Sequence, residues 1–440
     1  MSAIYFGDLN PLKGLRAICA LFIMVGHFFN YFAPNFQKTQ GNKKIDHNKD
    51  YPGYVFPIEY LQAVSFFLIL SGISLSRLYS HTGALDTKTG KKKFMWKRFA
   101  RLSPAYYLGL LLGFLPFFYN TYMDQKKYLD FFGSLIAAPF FLQTVFPLFL
   151  AWDGPLWTVS IFMMSYVVYV WFNKKCRVWS QRKLYTYATI FYLLPAFFIV
   201  LFIALKFYAF NILVHVWLDR ILHFLIGAIL GELTERYRKK HGLKNEESYN
   251  ERKDATKWII VADLGTLVLI GTQVIVILYG QTFLPYFFEF VFVPFHCIWI
   301  FALLQSKKSL TCRILNLPFF DILNESSYTV YCIHFPLFFL YTYIVNKKLV
   351  KCYDFWGCTT FALDYWHVFI AVPIIWIISI LYLKLVELPL KKIMVRKINK
   401  KYAQNKDTQD LTEILLNEEK LDTSESNSSR SEQSKSSDEN

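Results

Sequence analysis

Apolar residues run through this chain in blocks of about 20, the length an α-helix needs to cross a hydrocarbon core about 30 Å thick. Blocks at about 12–33, 59–79, 99–119, 155–173, 185–206, 214–233, 258–279, 284–304, 324–346 and 365–386 read as membrane spans. Pro104, Pro116, Pro195, Pro294 and Pro373 lie in or beside them, which membrane helices tolerate better than soluble ones. A further apolar stretch, about 131–150, is long enough to cross but carries Gly133, Pro139, Gln143 and Pro147.

The polar segments between the blocks decide how that stretch is read. Basic clusters fall at 88–98, 174–183, 236–257, at Lys307, Lys308 and Arg313, and at Lys391, Lys392, Arg396 and Lys397. If 131–150 dips in and returns, all these clusters share the side of the N-terminus, as lysine and arginine prefer the cytosolic face. The expectation is an all-α polytopic membrane protein, with about ten transmembrane helices, one re-entrant or interfacial segment and both termini cytosolic. Lys38, Lys43, Lys44 and Lys49 then lie on the far side, partly offset by Asp46 and Asp50. Residues 1–392 form the membrane domain. Residues 393–440 form a polar cytosolic tail, rich beyond about 403 in Ser, Asp, Glu and Asn and too poor in apolar surface to fold alone.

Composition refines this picture. Hydrophobic residues make up 54% and charged ones 18%, against roughly 45–50% and 25% in soluble domains. The net charge of +16 would suit nucleic acid if it formed one patch. It is spread over the loops between spans, so the lipid bilayer, not nucleic acid, is the expected partner. The first block carries Lys13, Arg16 and His27 without a small-residue cleavage site, and is expected to stay uncleaved. The cysteines form no CxxC, and no zinc site is expected. Cys352 and Cys358 fall in the far-side loop after the ninth span, where an oxidising compartment permits a disulfide between them.

Polar side chains inside spans carry the chemistry, because lipid burial penalises them. Arg16 and His27 are eleven residues apart on nearly one face of the first span, about 16 Å along it. Histidine exchanges protons near neutrality. Arg98 and Arg101, three apart, present forked donors suited to phosphate, although anchoring at the membrane surface would also explain them. Ser327, Tyr331 and His334 make a narrow stripe on the ninth span, either a polar cavity or an interhelical hydrogen-bond cluster.

Several stretches together resemble the acyltransferase type 3 family, from about residue 9 to 392: LNPLKGLRAICALFIMVGHF, SFFLILSGISL with Ser71 and Gly72, KRFARLSPAYY, LWTVSIFMMSYVVY, RILHFLIGAILG with Arg220, Phe224 and Gly227, SYTVYCIHFP and VELP. Their order makes the match specific. The resemblance implies an integral membrane enzyme that moves an acyl group, often acetyl, from acyl-CoA to a hydroxyl or amine of a carbohydrate, lipid or small molecule. Acyl-CoA, with acetyl-CoA expected, is then a co-substrate, and no permanently bound cofactor is implied. By the resemblance His27 is the catalytic residue, with His334 beside it. Arg16, Arg98 and Arg101 hold acyl-CoA, and Ser71, Ser327, Tyr331 and Arg220 line the substrate cavity. The sequence departs from the pattern at Phe162 and His223, where the family usually or often has glutamate. Two other readings stay open: a transporter or flippase for an acylated or anionic solute, and an inactive relative acting as a binding protein. The acceptor, the membrane and the oligomeric state are not legible in the pattern.

Overall fold

The first span sets the pattern. Pro11 opens helix α1 (Asn10–His27) at a position where its missing N–H costs nothing, and the helix widens into a π turn over Phe28–Phe32. The structure is a computed structural model describing residues 9–32, 57–80, 82–145, 152–207, 214–243, 246–250, 253–279, 285–347, 351–352, 358–359 and 363–402. The far-side lysines at 38–49, the end of the 131–150 stretch, most of the loop after the ninth span and the tail from 403 lie outside the described residues.

The chain continues through α2 (Pro57–Tyr79), α3 (Lys88–Phe117), α4 (Tyr128–Ala137), α5 (Trp157–Val178), α6 (Gln181–Ala204) and α7 (Arg220–Lys240). It goes on through α8 (Glu246–Asn250), α9 (Ala255–Tyr279), α10 (Pro285–Gln305), α11 (Leu310–Leu315), α12 (Pro318–Asn346), α13 (Val368–Tyr382) and α14 (Leu388–Tyr402). Over its described residues each block expected to span is largely helical. Six helical stretches among the described residues are long and apolar enough to cross a membrane: Lys88–Asp124, Gly154–Val178, Gln181–Phe202, Ala255–Thr272, Pro318–Asn346 and Tyr365–Tyr402. Ala63–Tyr79, Tyr128–Phe140 and Phe292–Gln305 are shorter apolar helices. Among the described residues the protein is thus all-helical with several apolar crossing helices, apart from a two-residue antiparallel ladder, β1 (Lys351–Cys352) and β2 (Cys358–Thr359). The ladder register sets Cys352 opposite Cys358.

The 131–150 stretch does not run as one crossing helix. Helix α4 ends at Ala137, passes into a 3-10 turn and meets Phe141 in the left-handed region at φ 59°. Its ten residues span about 15 Å, half a hydrocarbon core. The hydroxyls of Tyr106 and Tyr107 on α3 donate to the carbonyls of Ala138 and Pro139 where the helix breaks. Helix α14 carries regular structure past residue 392, to Tyr402, in what the composition reads as the start of the tail.

Helix packing explains several of the sequence landmarks. Helices α2 and α7 make the most extensive pair. A Cβ added at Gly72 would fall on the carbonyl oxygen of Phe224, and one at Gly227 on that of Ile69. Gly227 and Gly231 form a G-x-x-x-G stripe that lets the two backbones touch, the usual device where lipid supplies no hydrophobic drive between helices. Helix α1 packs between α2 and α12, and α12 also packs on α3 and α13. Helices α6 and α9 leave Leu193, Phe197, Val200, Leu264 and Leu267 exposed, an outer surface suited to lipid.

At the end where the basic loops gather, ion pairs tie α2, α5 and α7 together. Arg77 lies 3.5 Å and Arg238 2.7 Å from the Glu235 carboxylate, and Arg177 clasps Asp86 with contacts of 2.8 and 2.9 Å. Ser80 and Arg236 donate to Glu232 at 2.5 and 2.8 Å. The burial of Glu235 would raise its carboxyl, but Arg238, Arg77 and Lys239 outweigh it and hold the group below the usual carboxylate range.

Candidate active site

His27 is the last residue of α1, and His334 lies midway along α12, across the α1–α12 contact. Both are buried. The His27 Nδ1 and the His334 Nε2 are 2.7 Å apart, the rings are within 4° of parallel, and their centroids are 5.0 Å apart. The rings therefore meet edge to edge through their nitrogens.

The hydrogen bonds assign the protons. The His334 Nδ1 lies 3.0 Å from the carbonyl of Val330 and 2.9 Å from that of Tyr331. Carbonyls only accept, so this nitrogen carries a hydrogen, and in a neutral ring the His334 Nε2 is then an acceptor. It takes its hydrogen from the His27 Nδ1. The lone pair of a neutral His27 consequently sits on Nε2, where it can receive a proton. Tyr31 and Phe335 meet the His27 ring edge-on, each at 5.8 Å between centroids.

Thr158 and Tyr331 continue the polar seam. The Tyr331 hydroxyl accepts from Thr158 at 2.6 Å and donates to the Pro155 carbonyl at 2.8 Å, fixing α12 against the start of α5. Ser327 turns back to the carbonyl of Asn324 at 2.7 Å. Ser71 is half-buried beside the Gly72 contact. Arg220 is fully buried and donates to Ser65, linking α7 to α2. Tyr331 thus lies one helical turn from His334, whereas Ser327 bonds within its own helix and Arg220 ties α7 to α2.

The arginines divide. Arg16 is half-buried and donates to Ser74 at 2.5 Å, which donates to the Leu70 carbonyl at 2.8 Å. Arg98 is buried, donates to the Tyr79 hydroxyl at 3.1 Å and lies over the Phe94 ring at 5.3 Å. Arg101 is exposed. Lys93 and Lys97, which the sequence reads as part of a loop cluster, are 2% and 7% exposed on the inward face of α3 beside Arg98. Their spacing of four and one could have flagged that face. The Glu387 of VELP accepts from Thr329 at 2.6 Å, which locks the end of the last span to α12. His223 is paired with Asp219 at 3.1 Å, so a carboxylate stands one turn before the position where the family often has glutamate.

A histidine relay within the helices and a row of cations toward one end suit transfer of a group from an anionic donor. The family model described as "Acyltransferase domain" matches residues 10–384. The chain belongs to the acyltransferase type 3 family. It is an acyltransferase, embedded in a membrane through apolar helices. Comparisons with curated proteins and with solved structures give no match. In this acyltransferase Phe162 is half-buried with its ring 6.3 Å from that of Tyr166, an apolar contact where the family usually has glutamate.

Proposed function

We propose that this acyltransferase moves an acyl group, acetyl in the simplest case, from cytosolic acyl-CoA to a hydroxyl or amine of a carbohydrate, lipid or small-molecule acceptor. The observation that carries the reading is the bond between His27 and His334, which leaves the basic nitrogen of His27 as Nε2. Both termini are cytosolic in this account, and Lys93, Lys97, Arg98 and Arg101 face the same compartment. They hold the phosphates of CoA, with Arg16 further along its arm. The thioester then reaches His27, about 16 Å along α1 from Arg16.

The Nε2 of His27 takes the proton of the acceptor as its oxygen or nitrogen attacks the thioester carbonyl. The carbon–sulfur bond breaks, a carbon–oxygen or carbon–nitrogen bond forms, and the proton passes to the departing thiolate. His334 holds the ring in the productive tautomer and accepts from the imidazolium while it lasts, the part an orienting group plays in a triad. The Asp219–His223 pair and the Phe162–Tyr166 contact leave this proton transfer to the two histidines.

Mass spectrometry of glycans, lipids and metabolites from cells with and without the protein tests the reading. One class of molecule should lose an acyl mass when the protein is absent, and the purified protein should release CoA from acetyl-CoA when given that class. Solute movement in liposomes with no thioester consumed would replace this account with transport.

A further inference from the structure

The last crossing helix does not stop at the membrane. Tyr365–Tyr402 is one helical stretch of 38 residues, and α14 is its final part. At about 1.5 Å per residue it is about 57 Å long, against about 30 Å of hydrocarbon, so α14 stands at and beyond the headgroup layer.

Helix α14 packs on α3, with Met394, Val395 and Ile398 half-buried. Its other side is basic. Lys392, Arg396, Lys397, Lys400 and Lys401 are all exposed. Helical geometry spreads them over about 180° of the circumference and about 14 Å of its length. Leu388–Tyr402 holds no Asp or Glu, and among the described residues none of the five cations makes an ion pair. Glu387, just before them, is turned inward onto Thr329. Insertion of the last span needs positive charge near its end, but it does not need the charge gathered on one outward helix face.

We propose that the outward face of α14 binds the headgroups of anionic phospholipids where the last span leaves the bilayer. The order of side chains along the helix supports lipid. Leu388, Leu390 and Ile393 are exposed, and Arg396, Lys397, Lys400 and Lys401 follow them, an apolar-to-basic sequence that matches acyl chain and then phosphate. The competing occupant is the chain that follows, where 403–440 carries ten Asp and Glu against four Lys and Arg. The binding of lipid is independent of the acyltransferase chemistry.

Native mass spectrometry of the purified full chain in detergent, titrated with phosphatidylserine or phosphatidylcholine, reads the affinity for each lipid. The protein should bind phosphatidylserine about fivefold or more tightly than phosphatidylcholine, the factor that a single cation near an anionic membrane supplies, and added salt should weaken the preference. Lys392→Gln/Arg396→Gln/Lys397→Gln/Lys400→Gln/Lys401→Gln should lose it. Glutamine matches lysine and arginine in helix propensity, and Lys392→Arg/Lys397→Arg/Lys400→Arg/Lys401→Arg, which keeps the charge, should retain it. Lys174→Gln/Lys175→Gln/Arg182→Gln/Lys183→Gln, exposed cations of another loop, should also retain it. No preference in the parent protein, an undiminished one in the α14 glutamine variant, or an equal loss in the loop variant overturns the proposal. Carbodiimide cross-links from α14 lysines to acidic residues of 403–440, undiminished by phosphatidylserine, would give the face to the tail and overturn it too.

Discussion

The Nδ1 of His27 donates to the Nε2 of His334 at 2.7 Å, and the carbonyls of Val330 and Tyr331 hold the proton on the far nitrogen of His334. In the proposed mechanism His334 is therefore a positioning residue. His334→Ala should lower kcat by less than His27→Ala does, leave KM for acyl-CoA unchanged, and move the acidic limb of the pH–rate profile, because His27 loses the acceptor that supports its imidazolium. Steady-state kinetics across pH checks this. An unmoved profile with normal kcat would reduce the contact to packing.

The two halves of that pair were legible separately. The face shared by Arg16 and His27 follows from helical periodicity, and the stripe of Tyr331 and His334 from the same rule. Their meeting does not, because it depends on how α1 seats against α12. That seating involves backbone approaches such as Gly14 of α1 against the carbonyl of Leu315, just before α12, and Gly109 of α3 against that of Cys332 on α12, which no local pattern encodes. Spacing also placed Arg98 and Arg101 together, yet positions three apart differ by about 60° around a helix. That is enough to turn Arg98 onto Tyr79 while Arg101 stays exposed. Lys93 and Lys97 looked like surface anchors because a charge run does not reveal which members the neighbouring helices cover.

In the proposed reading Arg98 holds phosphate of acyl-CoA. Arg98→Gln should raise KM for acyl-CoA about tenfold with little change in kcat, since a bond to a charged group is worth about 1.5–3 kcal/mol and acts alike in ground and transition states. Tyr79→Phe, which removes the 3.1 Å bond to Arg98, should raise it less. Acyl-CoA titrations of correctly inserted variants decide the point, and an unchanged KM in Arg98→Gln/Arg101→Gln would make both residues anchors.

Glu235 gives a signed pH dependence. Its folded-state pKa lies below its ordinary value near 4.5, so unfolding takes up a proton in acid. The stability it contributes is fully present above that ordinary value and is lost as pH falls through the depressed one. Melting temperature in detergent should therefore drop below about pH 4.5 more steeply in the parent protein than in Glu235→Gln. Parallel curves would show that the Arg77 and Arg238 contacts do not discriminate the two states.

The Cys352–Cys358 register places the two backbones directly opposite, at the separation of about 4.5–5.5 Å found in antiparallel pairs, which a disulfide can span. Alkylation without reduction should leave this pair unmodified, and reduction first should add two alkyl groups to its peptide. Equal alkylation with and without reduction would mean two thiols.

The most direct test of the account is turnover of acetyl-CoA by purified His27→Ala beside the parent protein, with the acceptor class found by mass spectrometry. As the proposed general base, His27 would supply about 10²–10⁴-fold of the rate. The account predicts a loss of that size in kcat, with acyl-CoA binding, expression and membrane insertion retained. Near-normal turnover in His27→Ala would contradict it and leave the His27–His334 bond a structural contact between α1 and α12.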